Sequence, residues 1–235
     1  MNRAPLPAVA APAAAPLHRQ RRKETRPQEL LEAALLLFVE KGFAATRSEE
    51  VAHAAGVSKG TLYLYYPSKE ELFKAVVRQN MSALIAEGIE MAGSYAGSSS
   101  ELLVELMNIW WQKVGNTPAA GLHKIVLSEV RNFPELAQFY ADEVIRPADL
   151  LFSTVVQRGI DRGEFRPLPV HEVAHALMAP MIFMCLHKHS FGACPIQGDE
   201  VDPDAMIRTH LDLVLRGMEV RPPAPAARRP RLPKP

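Results

Sequence analysis

Residues 46–69 read TRSEEVAHAAGVSKGTLYLYYPSK, and the order of helix starts and stops within them sets the architecture expected for the whole chain. Thr46 and Ser58 are small hydroxyl residues that can accept a hydrogen bond from the free amides of a following helical turn. Gly56 lies between them and can take the left-handed conformation that ends one helix and turns the chain sharply into the next. The pattern therefore predicts a helix-turn-helix.

The second of these helices has two chemically different faces. Positions 58, 62 and 66 are four residues apart and share the face that packs inward, whereas Gly60, Tyr63 and Leu64 point outward. Lys59 and Thr61 flank the outward face. Helix N-terminal amides, a lysine and hydroxyls suit a phosphate backbone, and a glycine lets a helix enter a groove deeply. The alternative is a tight helical corner inside an ordinary core.

Residues outside the turn extend the pattern, namely Lys41-Gly42-Phe43 and Ser68-Lys69-Glu70-Glu71-Leu72. Together with Thr46 and Ala55-Gly56-Val57-Ser58-Lys59-Gly60-Thr61-Leu62-Tyr63 they resemble the DNA-binding segment of the TetR family of transcriptional regulators. The resemblance runs from about Arg26 to Phe73. Residues 129–140, which include Phe133-Pro134-Glu135-Leu136, resemble the regulatory half of one branch of that family, the AefR-like regulators.

The resemblance implies an all-α protein with an N-terminal three-helix helix-turn-helix domain and a larger helical domain for ligand binding and dimerisation. It implies a one-component regulator, a repressor, that binds a palindromic operator in double-stranded DNA as a homodimer and is released by a small apolar or aromatic molecule. A metal-responsive regulator or an activator of the same fold is the alternative. No enzymatic activity and no cofactor are expected.

Ten residues are predicted to form the DNA contacts. Lys59, Tyr63, Thr46 and Lys69 are assigned mainly to phosphates, Gly60 and Thr61 to base edges, and Leu64 to a thymine methyl group. The full set is Thr46, Arg47, Ser58, Lys59, Gly60, Thr61, Tyr63, Leu64, Tyr65 and Lys69. Arg47, Leu64 and Tyr66 depart from the residues usual in the family.

Charge is unevenly distributed along the 235 residues, although the net charge is only +1. Residues 1–26 hold six basic and one acidic residue, and residues 221–235 hold five basic residues and no acidic one. Of the 27 basic and 26 acidic residues, 16 and 25 therefore remain between the two ends. A basic periphery on an acidic body is typical of a protein that meets a polyanion through a limited surface.

Composition and helix signals predict four segments. Residues 1–25 form a disordered basic Ala/Pro-rich tail, 26–72 the helix-turn-helix domain, 73–220 the regulatory and dimerisation domain, and 221–235 a disordered Pro/Arg-rich tail. The basic cluster Arg19–Lys23 is either an arm that follows DNA or a solvated tail. The helix that starts at Ser68 is predicted to run to about Met91 and to link the two domains.

The last two predicted helices offer more apolar surface than one protomer needs. They start at Pro169 and Asp204, and we expect them to pair with the same helices of a second copy in a four-helix interface. The alternative is that one of them lies within the protomer core. No membrane span is expected, because the longest uncharged run, Val173–His187, is short and contains Pro180.

Large flexible and aromatic side chains on several predicted helices suggest an apolar effector pocket, although each of them could equally belong to a solid core. The predicted lining residues are Met107, Trp110, Trp111, Phe133, Phe152, Met178, Met181 and Phe183.

Two metal-site interpretations stay open from the residues alone. His171-Glu172-Val173-Ala174-His175 matches the HExxH zinc-protease pattern, although no third ligand follows at a family spacing. Cys185, His187 and His189 could form a soft metal site, or they could be packing and surface residues. Two cysteines do not make a disulfide framework, and we expect a reducing cytoplasm.

Overall fold

The computed structural model describes residues 17–129, 131–190, 192 and 202–220, with side chains from residue 25 onward. The 221–235 tail and the first sixteen residues of the N-terminal tail lie outside the described residues. Within them the chain forms eleven α-helices, which confirms the all-α fold. These are α1 Leu17–Lys41, α2 Ser48–Ala54, α3 Lys59–Tyr65, α4 Lys69–Val77, α5 Ala83–Ser94, α6 Ser99–Trp110, α7 Gly121–Glu129, α8 Pro134–Tyr140, α9 Arg146–Asp161, α10 Val170–Ser190 and α11 Pro203–Met218.

Helices α2 and α3 meet at the turn expected from the sequence. Gly56 has a φ of +65°, and its N–H donates to the His53 carbonyl at 3.0 Å. The Ser58 hydroxyl caps α3 by accepting the N–H of Thr61 at 3.1 Å. Leu62 is fully buried with Val51 of α2 and Leu30 of α1, so the turn is held rigidly on the core.

Helix α1 starts earlier than the sequence suggests. The predicted helix-turn-helix domain begins at residue 26 after a disordered tail, but α1 spans Leu17–Lys41 and has Pro27 in its interior. Residues 17–25, which include the basic cluster 19–23, are therefore helical rather than part of an unfolded tail. Proline prevents one intrahelical hydrogen bond, yet the helical residues on both sides of it continue the same helix.

Helices α4 and α5 form one continuous rod through a π-helical turn at Arg78–Ser82. This agrees with the predicted long helix from Ser68 to about Met91, and the predicted domain boundary at residue 72 falls inside α4. Two further π turns follow, Trp111–Gly115 after α6 and Ala141–Ile145, which joins α8 to α9 just before Pro147. Proline has no N–H to continue the regular helical hydrogen bonds, and the wider π turn before it accommodates this loss.

Helix α10 is long and apolar enough by composition to span a bilayer, the one such helix in the part of the chain that the structure describes. The expectation that no helix could span a membrane rested on the uncharged run Val173–His187, which is shorter than α10, Val170–Ser190. It packs against α7, α9 and α11, and Leu177, Met181 and Cys185 are fully buried there. Packing within the protein therefore accounts for the apolar residues on the inner face of α10.

Candidate nucleic-acid interface and effector cavity

The outer face of α3 is bare. Leu64 is 77% exposed and Tyr63 is 39% exposed, and both lie on the opposite side of the helix from the buried Leu62. Gly60 is exposed too, and a Cβ built on it would have no neighbour closer than the Ser58 hydroxyl at 3.9 Å. The face combines an apolar tip, an aromatic ring and open backbone, a surface that can contact both sugar-phosphate and base edges.

Lys59 provides the positive charge on this face. Its ammonium forms an exposed ion pair with Glu49 of α2 and lies 5.6 Å from the centroid of the Tyr63 ring. The hydrogen bond between the two side chains lowers the pKa of Glu49 and raises the pKa of Lys59. Because the pair is exposed, a phosphate can displace the carboxylate at small cost.

Thr46 is not available for a phosphate contact. The residue is buried, and its hydroxyl oxygen lies 2.7 Å from the Gly42 carbonyl and 3.1 Å from the Leu37 carbonyl at the end of α1. Nor does it cap α2, because the N-cap position belongs to Arg47, whose N–H donates to Glu50 Oε2 at 3.1 Å. The expected helix start and phosphate role of Thr46 are corrected accordingly.

Lys69 also points away from solvent. Its Nζ donates to the carbonyls of Phe43 at 2.9 Å, Ala44 at 3.1 Å and Thr46 at 3.2 Å. An ammonium group has three donors, so every one of them is used by the loop between α1 and α2. The structure therefore assigns Lys69 to fastening α4 to this loop rather than to DNA.

The other predicted contact residues surround the bare face. Arg47 and Ser58 are exposed, and Thr61 and Tyr65 are half-buried. The Ser58 and Thr61 hydroxyls lie 2.9 Å apart and bond to each other. Eight of the ten predicted residues thus lie on or beside the outer surface of the helix-turn-helix, and two are engaged inside it.

A cavity of about 530 Å³ lies among the helices that follow the helix-turn-helix domain. Its wall is almost entirely apolar and comes from six α-helices, α5 through α10, and from the π turns Arg78–Ser82, Trp111–Gly115 and Ala141–Ile145. Representative lining residues are Met81, Ile85, Gly88, Leu106, Ile109, Trp110, Val126, Ala148, Phe152, Ala174 and Met178. A concave apolar space of this size is typical of a small-molecule site.

The cavity includes three of the eight residues predicted to line it, Trp110, Phe152 and Met178. The prediction does not hold for the other five. Met107 of α6, Trp111 in the π turn after α6 and Met181 of α10 are buried in the core and do not line the cavity. Phe133 packs edge-on against Phe43, with ring centroids 4.9 Å apart, and Phe183 is 53% exposed on α10.

The polar part of the cavity wall was not predicted from the sequence. His123 of α7 and Tyr140 of α8 both line the cavity, and the Tyr140 hydroxyl lies 2.9 Å from His123 Nδ1. Burial lowers the pKa of His123 to about 4 and raises that of Tyr140, so both groups are neutral at pH 7. A single histidine in an apolar helix was the available signal, and it was assigned no role.

The HExxH segment does not assemble a metal site. His171 Nδ1 lies 2.7 Å from Asp149 Oδ2, and His175 Nδ1 lies 2.7 Å from the His171 carbonyl and 3.5 Å from Asp149 Oδ1. Cys185 is fully buried in the core, and burial raises the pKa of its thiol to about 12, which opposes the thiolate that metals bind. In the described ranges no three His, Cys, Asp or Glu residues converge to hold a metal ion.

Comparison with known proteins agrees with this geometry. Residues 30–76 match the family described as bacterial regulatory proteins, tetR family, and residues 96–193 match the tetracyclin repressor-like, C-terminal domain. HTH-type transcriptional regulator YfiR of Bacillus subtilis (strain 168) is 32% identical over 152 residues, which cover 62% of this chain and 71% of YfiR. The chain belongs to the TetR family.

Other TetR-family proteins match over greater lengths. HTH-type transcriptional repressor KstR2 of Rhodococcus jostii (strain RHA1) is 25% identical over 197 residues, which cover 83% of this chain and 92% of that repressor. The structure of the fatty acid degradation regulator FadR from Bacillus halodurans superposes with a TM-score of 0.66 at 20% identity, covering 81% and 94% of the two chains. A putative TetR-family regulator from Mesorhizobium loti gives 0.65 at 21% identity, covering 83% and 96%.

Membership of the TetR family fixes the general function. The chain is a DNA-binding transcriptional regulator with an N-terminal helix-turn-helix and a helical C-terminal domain. TetR-family regulators bind DNA operators and small-molecule effectors, typically as dimers. The two family models fall on the two sites described above, the α2–α3 surface within residues 30–76 and most of the cavity within residues 96–193.

Proposed function

We propose that this protein is a cytoplasmic repressor that binds a palindromic operator as a homodimer and leaves it when a small, largely apolar molecule fills the cavity. The observation that carries the proposal is the bare outer face of α3, where Leu64 and Tyr63 are exposed on a helix whose inner side is fixed by Leu62. A short helix held rigidly from behind and open in front can enter the major groove.

On DNA, each exposed group has a distinct task. The Lys59 ammonium exchanges Glu49 for a phosphate, and the Tyr63 hydroxyl contacts the backbone beside it. Gly60 and Thr61 approach base edges, and the Leu64 methyl groups contact a thymine methyl. Arg47, Ser58 and Tyr65 lie at the margin of the same surface. Two such helices related by a two-fold axis would read half-sites about 34–36 Å apart, or a multiple of that distance.

The dimer would form through α10 and α11. Phe183 of α10 is 53% exposed and Leu213 of α11 is 67% exposed, although Leu177 and Leu211 of the same two helices are buried within the protomer. The inner faces thus complete the protomer core, and apolar side chains remain on the outer faces. A second copy that covers them with its own α10 and α11 would complete a four-helix interface.

The cavity and the DNA-binding domain are linked by two elements. The continuous α4–α5 rod carries Phe73 against Phe43 at one end and Gly88 on the cavity wall at the other. Helix α7 carries His123 on the wall, and its last residue, Glu129, accepts the N–H of Ala44 at 3.3 Å. A ligand that moves either element would displace the same loop between α1 and α2.

The ligand changes DNA binding only through its different affinity for the two conformations. A switch from almost fully competent to almost fully incompetent needs a difference of about 5.5 kcal/mol. Arg78 lies in the π turn of the rod, and its guanidinium forms a paired contact with the Glu143 carboxylate, with Nε 2.9 Å from Oε2. This ion pair ties the middle of the rod to the segment between α8 and α9, so we expect it to rearrange in the switch.

Selection of genomic fragments with the purified full-length protein tests the proposal. We expect the recovered fragments to share a palindrome, and a labelled duplex that contains it to bind two protomers in fluorescence anisotropy. The matched variants are Leu64→Asp on the outer face of α3 and Leu36→Asp, which changes another exposed leucine, on α1. Only the first should abolish binding, and fragments without a shared palindrome would refute the proposal.

A further inference from the structure

The cavity wall contains one buried polar pair among its apolar side chains. His123 is 7% exposed, its Nδ1 is engaged by the Tyr140 hydroxyl at 2.9 Å, and its Nε2 is buried with no hydrogen-bond partner among the residues that the structure describes. A buried polar nitrogen that lacks a partner is costly, and native proteins retain few of them. A hydrogen-bond acceptor on a molecule in the cavity that His123 lines would remove this cost.

The hydrogen bond with the Tyr140 hydroxyl determines whether His123 Nε2 carries a proton. Among the described residues its one hydrogen-bond partner is His123 Nδ1. If Nδ1–H donated to the hydroxyl, the phenol hydrogen would be buried without an acceptor and Nε2 would be buried without a donor. If the phenol donates to Nδ1, only Nε2–H is left unpaired. The second arrangement leaves fewer unpaired groups, so Nε2 is a hydrogen-bond donor.

Charged groups on the wall already have partners. Lys113 Nζ lies 2.7 Å from Glu87 Oε2, and Asp149 Oδ2 lies 2.7 Å from His171 Nδ1. Burial keeps the His123 ring neutral above its lowered pKa of about 4. A carboxylate hydrogen-bonded to the buried, neutral His123 ring would be removed from water without a cation beside it, because the Lys113–Glu87 pair is exposed, and this is strongly unfavourable.

We infer that the effector is an uncharged, largely apolar molecule with a carbonyl-type acceptor, such as a ketone or an ester, and that His123 Nε2–H donates to that acceptor. This inference rests on the proposed ligand response and adds the chemical class of the ligand. The apolar body would pack against Trp110, Phe152 and Met178, and the carbonyl would turn toward α7. Apolar contact supplies most of the affinity, and the single hydrogen bond supplies the selectivity.

A series of four ten-carbon probes tests the class by titration calorimetry on the full-length protein. The probes are butyrophenone, which carries a ketone, butylbenzene, which carries no polar group, 4-phenylbutyrate, which is anionic, and 4-phenylbutylamine, which is cationic. We expect butyrophenone to bind about tenfold more tightly than butylbenzene, the ratio that one buried hydrogen bond supplies. Both charged probes should bind more weakly than the ketone.

Substitution of the histidine locates the donor. His123→Leu should equalise the ketone and the hydrocarbon, and His123→Gln, whose amide keeps an N–H donor, should retain part of the preference. Long-range proton–nitrogen spectra of the wild type should show a protonated Nε2 and a bare Nδ1, and the Nε2–H signal should shift on addition of butyrophenone. The spectra and the wild-type probe series remain informative if either variant fails to fold.

The outcomes separate this inference from the proposed function. Equal affinity of the wild type for butyrophenone and butylbenzene, tighter binding of either charged probe, or a protonated Nδ1 would overturn the inference. None of these results affects operator binding, which is measured independently by fragment selection. A tighter amine would place recognition at Asp149, whose buried Oδ1 has, among the described residues, only His175 Nδ1 near it, at 3.5 Å and without a hydrogen bond.

Discussion

Lys69 Nζ donates a hydrogen bond to the Phe43 carbonyl at 2.9 Å and lies 4.5 Å from the centroid of the Phe43 ring. Phe43 in turn packs against Phe73 of α4 and Phe133 at the start of α8. One lysine and one phenylalanine thus join the loop before α2, the start of the α4–α5 rod and the regulatory domain. The orientation of α2 and α3 depends on this junction.

Replacement of Lys69 by methionine should therefore affect stability rather than phosphate contacts. The substitution retains the aliphatic stem but leaves three loop carbonyls without their donor, so we expect a loss of roughly 1–3 kcal/mol in the free energy of unfolding. Urea denaturation measures this loss. Operator affinity should fall, while the slope of log K against log salt concentration should stay at the wild-type value. A smaller slope in the variant would instead show that Lys69 contacts a phosphate.

Lys59→Ala should give the complementary result. Lys59 is exposed and its partner Glu49 is exposed as well, so unfolding should be almost unchanged. Loss of one phosphate contact per protomer should reduce the magnitude of the salt slope by about one for each half-site. Glu49→Gln is the matched control, because it frees the lysine from its competing carboxylate and should strengthen DNA binding. Identical salt slopes for the wild type and Lys59→Ala would show that Lys59 does not contact a phosphate.

The sequence was sufficient for the helix-turn-helix because its signals are local. Gly56, the Ser58 cap and the spacing of Leu62 act within a few residues, and the structure shows each of them as expected. Thr46 was assigned wrongly because its hydroxyl bonds back to the Gly42 and Leu37 carbonyls, an arrangement that its place in the sequence does not distinguish from a helix cap. Lys69 was assigned wrongly because its partners are carbonyls of the loop before α2, which only the tertiary fold brings near. Local patterns do not report such long-range hydrogen bonds.

The cavity was harder to predict for a related physical reason. A hydrophobic stripe does not distinguish a side chain that borders empty space from one that fills it, and Trp110 and Trp111 are neighbours with different surroundings. The residue type suggested the class of site, but the crossing of α5 through α10 decided which residues line it. His123 gained its role only when the fold placed Tyr140 2.9 Å from its ring.

Leu64→Ala should change sequence preference with little change in electrostatics. The side chain is 77% exposed and has no charge, so the salt slope and the stability should both stay close to wild type. Loss of an apolar contact with a thymine methyl should reduce discrimination at one base pair in each half-site by about 1 kcal/mol. Binding to a panel of single-base operator variants measures this. Unchanged preference at every position would exclude a base contact by Leu64.

The dimer interface is tested by charges on the outer faces of α10 and α11. Phe183→Glu and Leu213→Glu should shift sedimentation equilibrium toward the monomer, because each buries a carboxylate against its symmetry mate. Leu36→Glu places the same charge on an exposed leucine of α1 and should leave the dimer intact. Monomeric variants should also lose cooperative operator binding. If all three variants stay dimeric, the interface lies elsewhere.

Acid should destabilise the protein through His123. Burial lowers the folded-state pKa from the ordinary 6.5 to about 4, so between these values the unfolded chain binds a proton that the folded chain does not. Stability should therefore be constant above about pH 7 and fall by about 2 kcal/mol on going to pH 5, since each pKa unit corresponds to about 1.4 kcal/mol. The nearby His189, whose pKa is also lowered by burial, adds to the loss in the same direction.

Urea denaturation at pH 7.5 and pH 5 measures this difference in stability. In His123→Gln, whose side chain cannot titrate, most of the difference should disappear. A pH dependence that is the same in His123→Gln and in the wild type would show that the buried imidazole is not its source.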